Sequence, residues 1–312
     1  MSMWRNICLM PVMMISSVSA AEWGTNYESA LAQAKEEGKA VLADFTGSDW
    51  CGYCIRLRAQ VLEHPSFKEW ADKNFVLLEV DMPQNPKFDE KLRDQNEQLC
   101  KKYGVDGFPT VLVLDAQGRA LGGLFGYEGD PEIAMQVLAP GLRVHQLLLE
   151  SERLSGDSKL QPLIEAWKLM PEDLQKQNAC IKAEIIALDT HDVSGLREEE
   201  TALKRLSECI KAANAAPTDA AALDLVNAAL ADAPAVTRKQ LLDHKFRLMV
   251  LMAETHEDVL AAAEVAYAAI DADLKLAPAV KENRKAQLRG VFANPQTTLN
   301  RYRMVKRKRP KR

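Results

Sequence analysis

Val41-Leu42-Ala43-Asp44-Phe45, followed five residues on by Trp50-Cys51-Gly52-Tyr53-Cys54, is the stretch whose reading decides the fold. A short, bounded apolar run is the pattern of a buried strand. Two cysteines spaced C-x-x-C just after it fall in the first turn of the next helix. There the unpaired backbone N–H groups and the positive end of the helix dipole stabilise an anion. A stabilised thiolate makes a cysteine a nucleophile rather than a small inert hydrophobe. The pattern predicts a dithiol/disulfide redox centre at Cys51 and Cys54.

Working outward, Tyr27, Ala30, Leu31 and Ala34 recur at helical spacing, with Thr25-Asn26 as the cap and Gly38 as a stop. Strands are predicted over Ala40 to Phe45, Phe75 to Asp81, Thr110 to Leu114 and Ala120 to Phe125, the last two joined by a turn at Gln117-Gly118. Helices are predicted from Cys51 past Leu62, around Phe67 to Asp72, and along the face carrying Phe88, Leu92, Leu99 and Tyr103. Strands alternating with helices, then a hairpin, predict a mixed sheet covered by helices.

The run Val41 to Cys54, the strand Phe75 to Asp81 and Tyr103-Gly104-Val105-Asp106-Gly107-Phe108-Pro109-Thr110 resemble the thioredoxin superfamily in order and spacing. The resemblance covers roughly residues 23 to 140. It implies an attacking thiol at Cys51, a resolving thiol at Cys54, and a cis proline at Pro109. Trp50 would shield the pair, and Phe108 and Thr110 would flank the substrate platform. The family's buried acid matches Asp44, although the connection Thr46-Gly47-Ser48-Asp49 is one residue longer than in thioredoxin and leaves Asp49 as an alternative proton carrier. Gly52-Tyr53 between the cysteines is the pair of the bacterial periplasmic disulfide isomerase, which favours an isomerase or a mild reductase. The resemblance implies protein disulfides as clients and a separate protein as redox partner. No flavin or nicotinamide fingerprint accompanies the dithiol, so no cofactor is expected. The single C-x-x-C and five scattered histidines make no zinc pattern, so no metal is expected either.

The chain has 312 residues, 47% hydrophobic and 27% charged, which allows two domains with real cores and excludes disorder as the main state. Arg5, the apolar run Ile7 to Ile15 and the small residues Ser16 to Ala20 form the pattern of a cleaved export signal over residues 1–20, with an uncleaved N-terminal anchor as the alternative. The expected location is exported, and periplasmic in a bacterium. Residues 21–145 are then the thioredoxin-like α/β domain.

From Glu128 onward the strand signals stop, and residues 146–296 read as an all-α domain of helical hairpins. Leu163, Trp167 and Met170 share a face; Pro171 opens a helix whose stripe is Leu174, Ile181, Ile185 and Leu188. Asp192 to Gly195 is a break, and helices follow from Leu196, Pro217, Leu242 and Val259. If export places the chain in an oxidising compartment, Cys180 and Cys209, nearly equidistant from the Ser194-Gly195 break, are expected to pair, leaving Cys100 odd. Residues 297–312 read as a basic tail: Arg301 to Arg312 carries eight basic residues, without which the net charge of −4 becomes −12. Such a tail suits an anionic envelope surface, and export argues against nucleic acid. Two functions fit: a thiol–disulfide oxidoreductase, or a helical partner-binding scaffold with a thioredoxin-like docking module of little turnover.

Overall fold

The computed structural model describes residues 22–85 and 87–307, so the expected export signal and residues 308–312 of the tail lie outside the described part. Four strands, β1 (Ala40–Thr46), β2 (Phe75–Asp81), β3 (Thr110–Leu114) and β4 (Ala120–Phe125), form one sheet in the order β2-β1-β3-β4. β1 runs parallel to β2, from Ala40 beside Phe75 to Thr46 beside Asp81, and antiparallel to β3, from Val41 opposite Leu114 to Phe45 opposite Thr110. β4 closes the hairpin through the turn where Gly118 takes φ 72°, a conformation glycine reaches without strain. The strands coincide with the apolar runs to within one residue because β1, β2 and β3 are buried on both faces.

Helices α1 (Tyr27–Glu37) and α4 (Glu90–Tyr103) cover one face of the sheet. The Asn26 side chain accepts from the Ser29 N–H at 2.8 Å to start α1, and Gly38 at φ 65° ends it. Val41, Ala43, Phe45, Val76 and Leu78 pack on this side with Tyr27, Ala30 and Leu99. The opposite face carries Ala40, Leu42, Phe75, Leu77, Val111 and Val113 under α2 (Gly52–Leu57), α3 (Pro65–Asn74) and α5 (Pro131–Arg153). The helix expected past Leu62 is present, but its second half, Arg58–Leu62, is a single π-turn. Since side chains alternate along a strand, Asp44 and Glu79 fall on the same face as Ala40, Leu42, Phe75 and Leu77. That is the face α2 covers.

Helix α5 lies close on β4 because both carry glycine at the contact. A Cβ on Gly122 would stand 2.8 Å from Gly141 Cα, and one on Gly141 would stand 3.1 Å from Val113 Cβ. Gly122→Ala is therefore expected to destabilise the fold by about 1–3 kcal/mol. Urea unfolding followed by tryptophan fluorescence measures this, since Trp23, Trp50, Trp70 and Trp167 all lie in this half. Gly290→Ala, inside a helix and with open space around its Cβ position, should cause no such loss.

The boundary expected at residue 145/146 falls inside α5, and the first compact unit extends to Thr190. Three further helices, α6 (Leu160–Leu169), α7 (Glu172–Gln177) and α8 (Ala179–Leu188), belong to it. The helix expected from Pro171 through Leu188 is broken at Asn178, whose buried amide donates to Ala120 O at 2.9 Å and to Leu174 O at 2.8 Å. An asparagine side chain satisfying a carbonyl of β4 interrupts the helix and pins it to the sheet domain. Periodicity alone does not show such a contact.

The second unit runs from His191 and is helical throughout its described part: α9 (Leu196–Ala215), α10 (Asp219–Ala231), α11 (Ala235–Met252), α12 (His256–Asp271), α13 (Pro278–Phe292) and α14 (Pro295–Arg307). Ala213, Ala222, Val226, Leu241 and Leu248 form one core cluster; Val259, Ala263, Phe292 and Leu299 belong to another. The sequence from 297 is thus not all tail. It continues a helix through Arg307, anchored by buried Thr298 and Leu299.

Candidate active site

The dithiol sits where β1 hands the chain to α2. The Cys51 N–H donates to Gly47 O at 2.8 Å, turning the chain, and Cys51 is the N-cap of α2. Cys51 and Cys54 are joined as a disulfide, and the Cys51 sulfur accepts the Cys54 backbone N–H at 3.2 Å. The Cys51 sulfur is therefore already placed on a free N–H of the helix end, where a thiolate would be stabilised. Both cysteines are buried, Cys51 with 7% of its surface exposed and Cys54 with 3%.

Trp50 ties the surrounding loops together. Its Nε1 donates to Met82 O at 2.8 Å beyond β2, and its ring meets Phe108 edge-on at 5.9 Å, just before β3. Gly47 permits this, because a Cβ there would stand 2.5 Å from Trp50 Cε2. The Phe108–Pro109 peptide bond is cis. Pro109 O accepts the Gly126 N–H at 2.9 Å, and the Thr110 hydroxyl donates to Gly107 O at 2.9 Å. A cleft of about 360 Å³ runs beside this corner, lined by Val105, Phe108, Pro109 and the 72%-exposed Phe125. Trp50, Phe108, Pro109 and Thr110 are thus assembled with Cys51.

Asp44 is 2% exposed, and its Oδ1 has no hydrogen-bond partner. Burial raises its pKa to about 7; the Arg58 guanidinium opposes that shift, and Glu79 and Asp81 add to it. A carboxyl group under the cysteine helix that titrates near neutrality can hold or release a proton at working pH. Asp49 is engaged elsewhere. Its carboxylate accepts the N–H groups of Gln84 and Asn85 at 2.9 and 3.0 Å, so it braces the loop after β2. The extra residue of the β1–α2 connection is absorbed the same way, with Ser48 donating to Asp81 through both its hydroxyl (2.6 Å) and its N–H (2.9 Å).

Sequence reasoning missed Arg58 and Glu79. They form an ion pair above Asp44, Arg58 also approaching Glu63 at 3.8 Å and the Trp23 ring at 4.9 Å. A signal was present: Glu79 is the only charge in the run Phe75 to Val80, beside Asp44 in register. Among the described residues no group of three or more His, Cys, Asp or Glu side chains could hold a metal ion.

The expected Cys180–Cys209 disulfide is not formed; both thiols are free, as is Cys100. The expectation required α8 and α9 to fold as a hairpin, but they belong to different units. Each cysteine is engaged within its own unit. Cys180 interacts with Arg119, while the Cys209 thiol points at Leu225 O, 3.8 Å away on α10. Cys100 is half-buried on α4, and burial pushes its thiol up.

With the cysteine-capped helix, the cis proline and the sheet order in place, the comparison with known families is decisive: the model of the thioredoxin-like domain matches residues 27–139. Residues 27–139 belong to the thioredoxin superfamily. Disulfide bond reductase DsbH of Chlamydia pneumoniae is 38% identical over 96 residues, covering 31% of this chain and 58% of the relative. Thioredoxin-related protein DsbJ of the same organism is 34% identical over 108 residues, covering 34% of this chain and 31% of the relative. A solved structure described as DsbH oxidoreductase shares 32% identity over 45% of this chain and 95% of its own, with a TM-score of 0.37. The chain thus spans less than two thirds of the length of either curated relative. Outside this thioredoxin-superfamily domain the matches do not reach far: each covers less than half of the chain.

Proposed function

We propose that this chain is an exported thiol–disulfide oxidoreductase that reduces or isomerises protein disulfides through Cys51 and Cys54. The observation that carries the reading is the Cys51–Cys54 bond at the N-terminus of α2, with the Cys51 sulfur on a helix N–H. The relatives whose names describe a disulfide bond reductase and a thiol:disulfide interchange protein support it. The export pattern of residues 1–20 supports the location, periplasmic in a bacterium.

In the reduced protein the Cys51 thiolate attacks one sulfur of a client disulfide. The Cys51–client bond forms, the client S–S bond breaks, and the departing sulfur keeps the electron pair and takes a proton from solvent. Cys54 then gives up its proton, which we assign to Asp44, and attacks Cys51. The intramolecular disulfide forms and the second client thiolate leaves. Two electrons pass from the protein to the client, and a separate redox partner must return them. Phe108, Pro109 and Thr110 offer the platform for an extended client segment. The basic residues toward the C-terminus would hold the protein near an anionic envelope surface.

Insulin reduction in the presence of dithiothreitol tests the reading. The wild type is expected to turn over rapidly, and Cys51→Ser to fall to the uncatalysed rate. Equal slow rates in both would favour the docking-scaffold reading instead.

A further inference from the structure

Beside the dithiol lies a surface that the proton-transfer chemistry does not use. Tyr53, between the two cysteines, is 56% exposed, and its ring centre lies 5.9 Å from that of Tyr127, just after β4. Arg56, one turn along α2 from Tyr53, lays its guanidinium over both rings, 4.9 Å from Tyr53 and 5.8 Å from Tyr127. The Tyr127 hydroxyl donates to Gln60, which fixes the second ring. Arg56 is exposed. It has no carboxylate partner among the described residues, whereas Arg58, two positions on, is paired with both Glu63 and Glu79. The nearby acids are otherwise engaged: Glu128 accepts the Gly129 and Asp130 N–H groups, and Asp130 caps α5.

We propose that Arg56, stacked on Tyr53 and Tyr127, makes the protein prefer disulfide-bearing segments with a carboxylate beside the cysteine that Cys51 attacks. The inference rests on the oxidoreductase reading and specifies its client class. A guanidinium placed over two aromatic rings is partly pre-ordered and gives up little rotamer freedom when it binds. It therefore keeps a strong, directional donor edge for a carboxylate. Tyr53 and the exposed Ile55 give the rest of the segment an apolar surface. A lysine at the same client position would meet the uncompensated positive charge of Arg56 and be disfavoured. Like-charge juxtaposition is how such a site excludes wrong partners.

The test uses the reduced full chain and three symmetric peptide disulfides differing only in the residue after cysteine: Glu, Gln or Lys. The ratio of second-order reduction rates carries the result, because any effect of Arg56 on the thiolate itself acts on all three alike. The Glu peptide is expected to react about tenfold faster than the Lys peptide at low salt, with Gln between. The ratio should shrink at 0.5 M salt, and in Arg56→Gln it should collapse to within about twofold. A wild-type ratio near one, or a ratio that survives in Arg56→Gln, overturns the client preference and leaves the oxidoreductase reading standing. Failure to reduce any of the three contradicts the oxidoreductase reading and this inference with it.

Discussion

Cys54→Ser, reduced and mixed with a protein disulfide, is expected to accumulate a covalent adduct through Cys51 and to lose turnover by about three orders of magnitude or more. The reason is geometric. The Cys51 and Cys54 sulfurs can bond directly, so the resolving thiol attacks from within the same molecule. Well-placed intramolecular groups act at effective concentrations of about 10⁵ M or higher, whereas an external thiol supplied at millimolar concentration must find the buried mixed disulfide by diffusion. Non-reducing gels and mass spectrometry read the adduct. The mass should place the client on Cys51, and a reducing agent should release it. An adduct through Cys100, Cys180 or Cys209 would contradict the assigned roles.

Asp44→Asn is expected to change both stability and the resolving step. The folded pKa of about 7 lies above the unfolded carboxyl value of about 3.9, so the folded protein holds one extra proton between those values. Unfolding free energy therefore falls as pH rises through that window, with the loss complete above pH 7 and on the order of 4 kcal/mol at most. In the oxidised protein, Asp44→Asn removes this penalty. Its stability should be flat from pH 4 to 8 in this respect and higher than wild type at pH 8, measured by urea midpoints. At the same time Asn cannot accept the Cys54 proton, so resolution of the mixed disulfide should slow above pH 7 and lose its inflection near that value. A variant less stable than wild type at pH 8 would contradict the picture of a buried, unpartnered carboxylate.

The half of the fold that positions the dithiol was legible because β1 to β3 are buried on both faces and the helices carry clear caps and stops. Thr25-Asn26 and Gly38 bracket α1 in the sequence, and the structure places the side-chain cap on Asn26 and a left-handed stop at Gly38; the Asp89 and Gly104 caps of α4 emerged only in the structure. The site was legible where spacing has strict chemical meaning, at Cys51 and Cys54, and where the family resemblance implied a cis proline at Pro109. It was not legible where function depends on contacts between residues far apart in the chain. The pairing of Arg58 with Glu79, the stacking of Arg56 on Tyr127, and the reach of Asn178 to Ala120 have no periodic signature. The Cys180–Cys209 expectation failed for the same reason: equal distance from a break implies contact only if the two helices form a hairpin, and α9 packs on α10 instead. Asp44 lay between these cases. Its place on a buried strand follows from the apolar run around it, but that Asp49 is engaged in the loop after β2 shows only in the hydrogen bonds.

The central claim is that Cys51–Cys54 is a working redox couple rather than a structural staple. Its reduction potential, measured by equilibration with glutathione and trapping of free thiols, tests this directly. A reductase or isomerase requires reversible two-electron exchange with a potential between about −300 and −180 mV, the interval spanned by thioredoxin and protein disulfide isomerase with a modest margin on the reducing side. A pair that stays oxidised throughout, with a potential below about −300 mV, would be a structural disulfide and would contradict the account; a value near −120 mV would instead make the protein an oxidant.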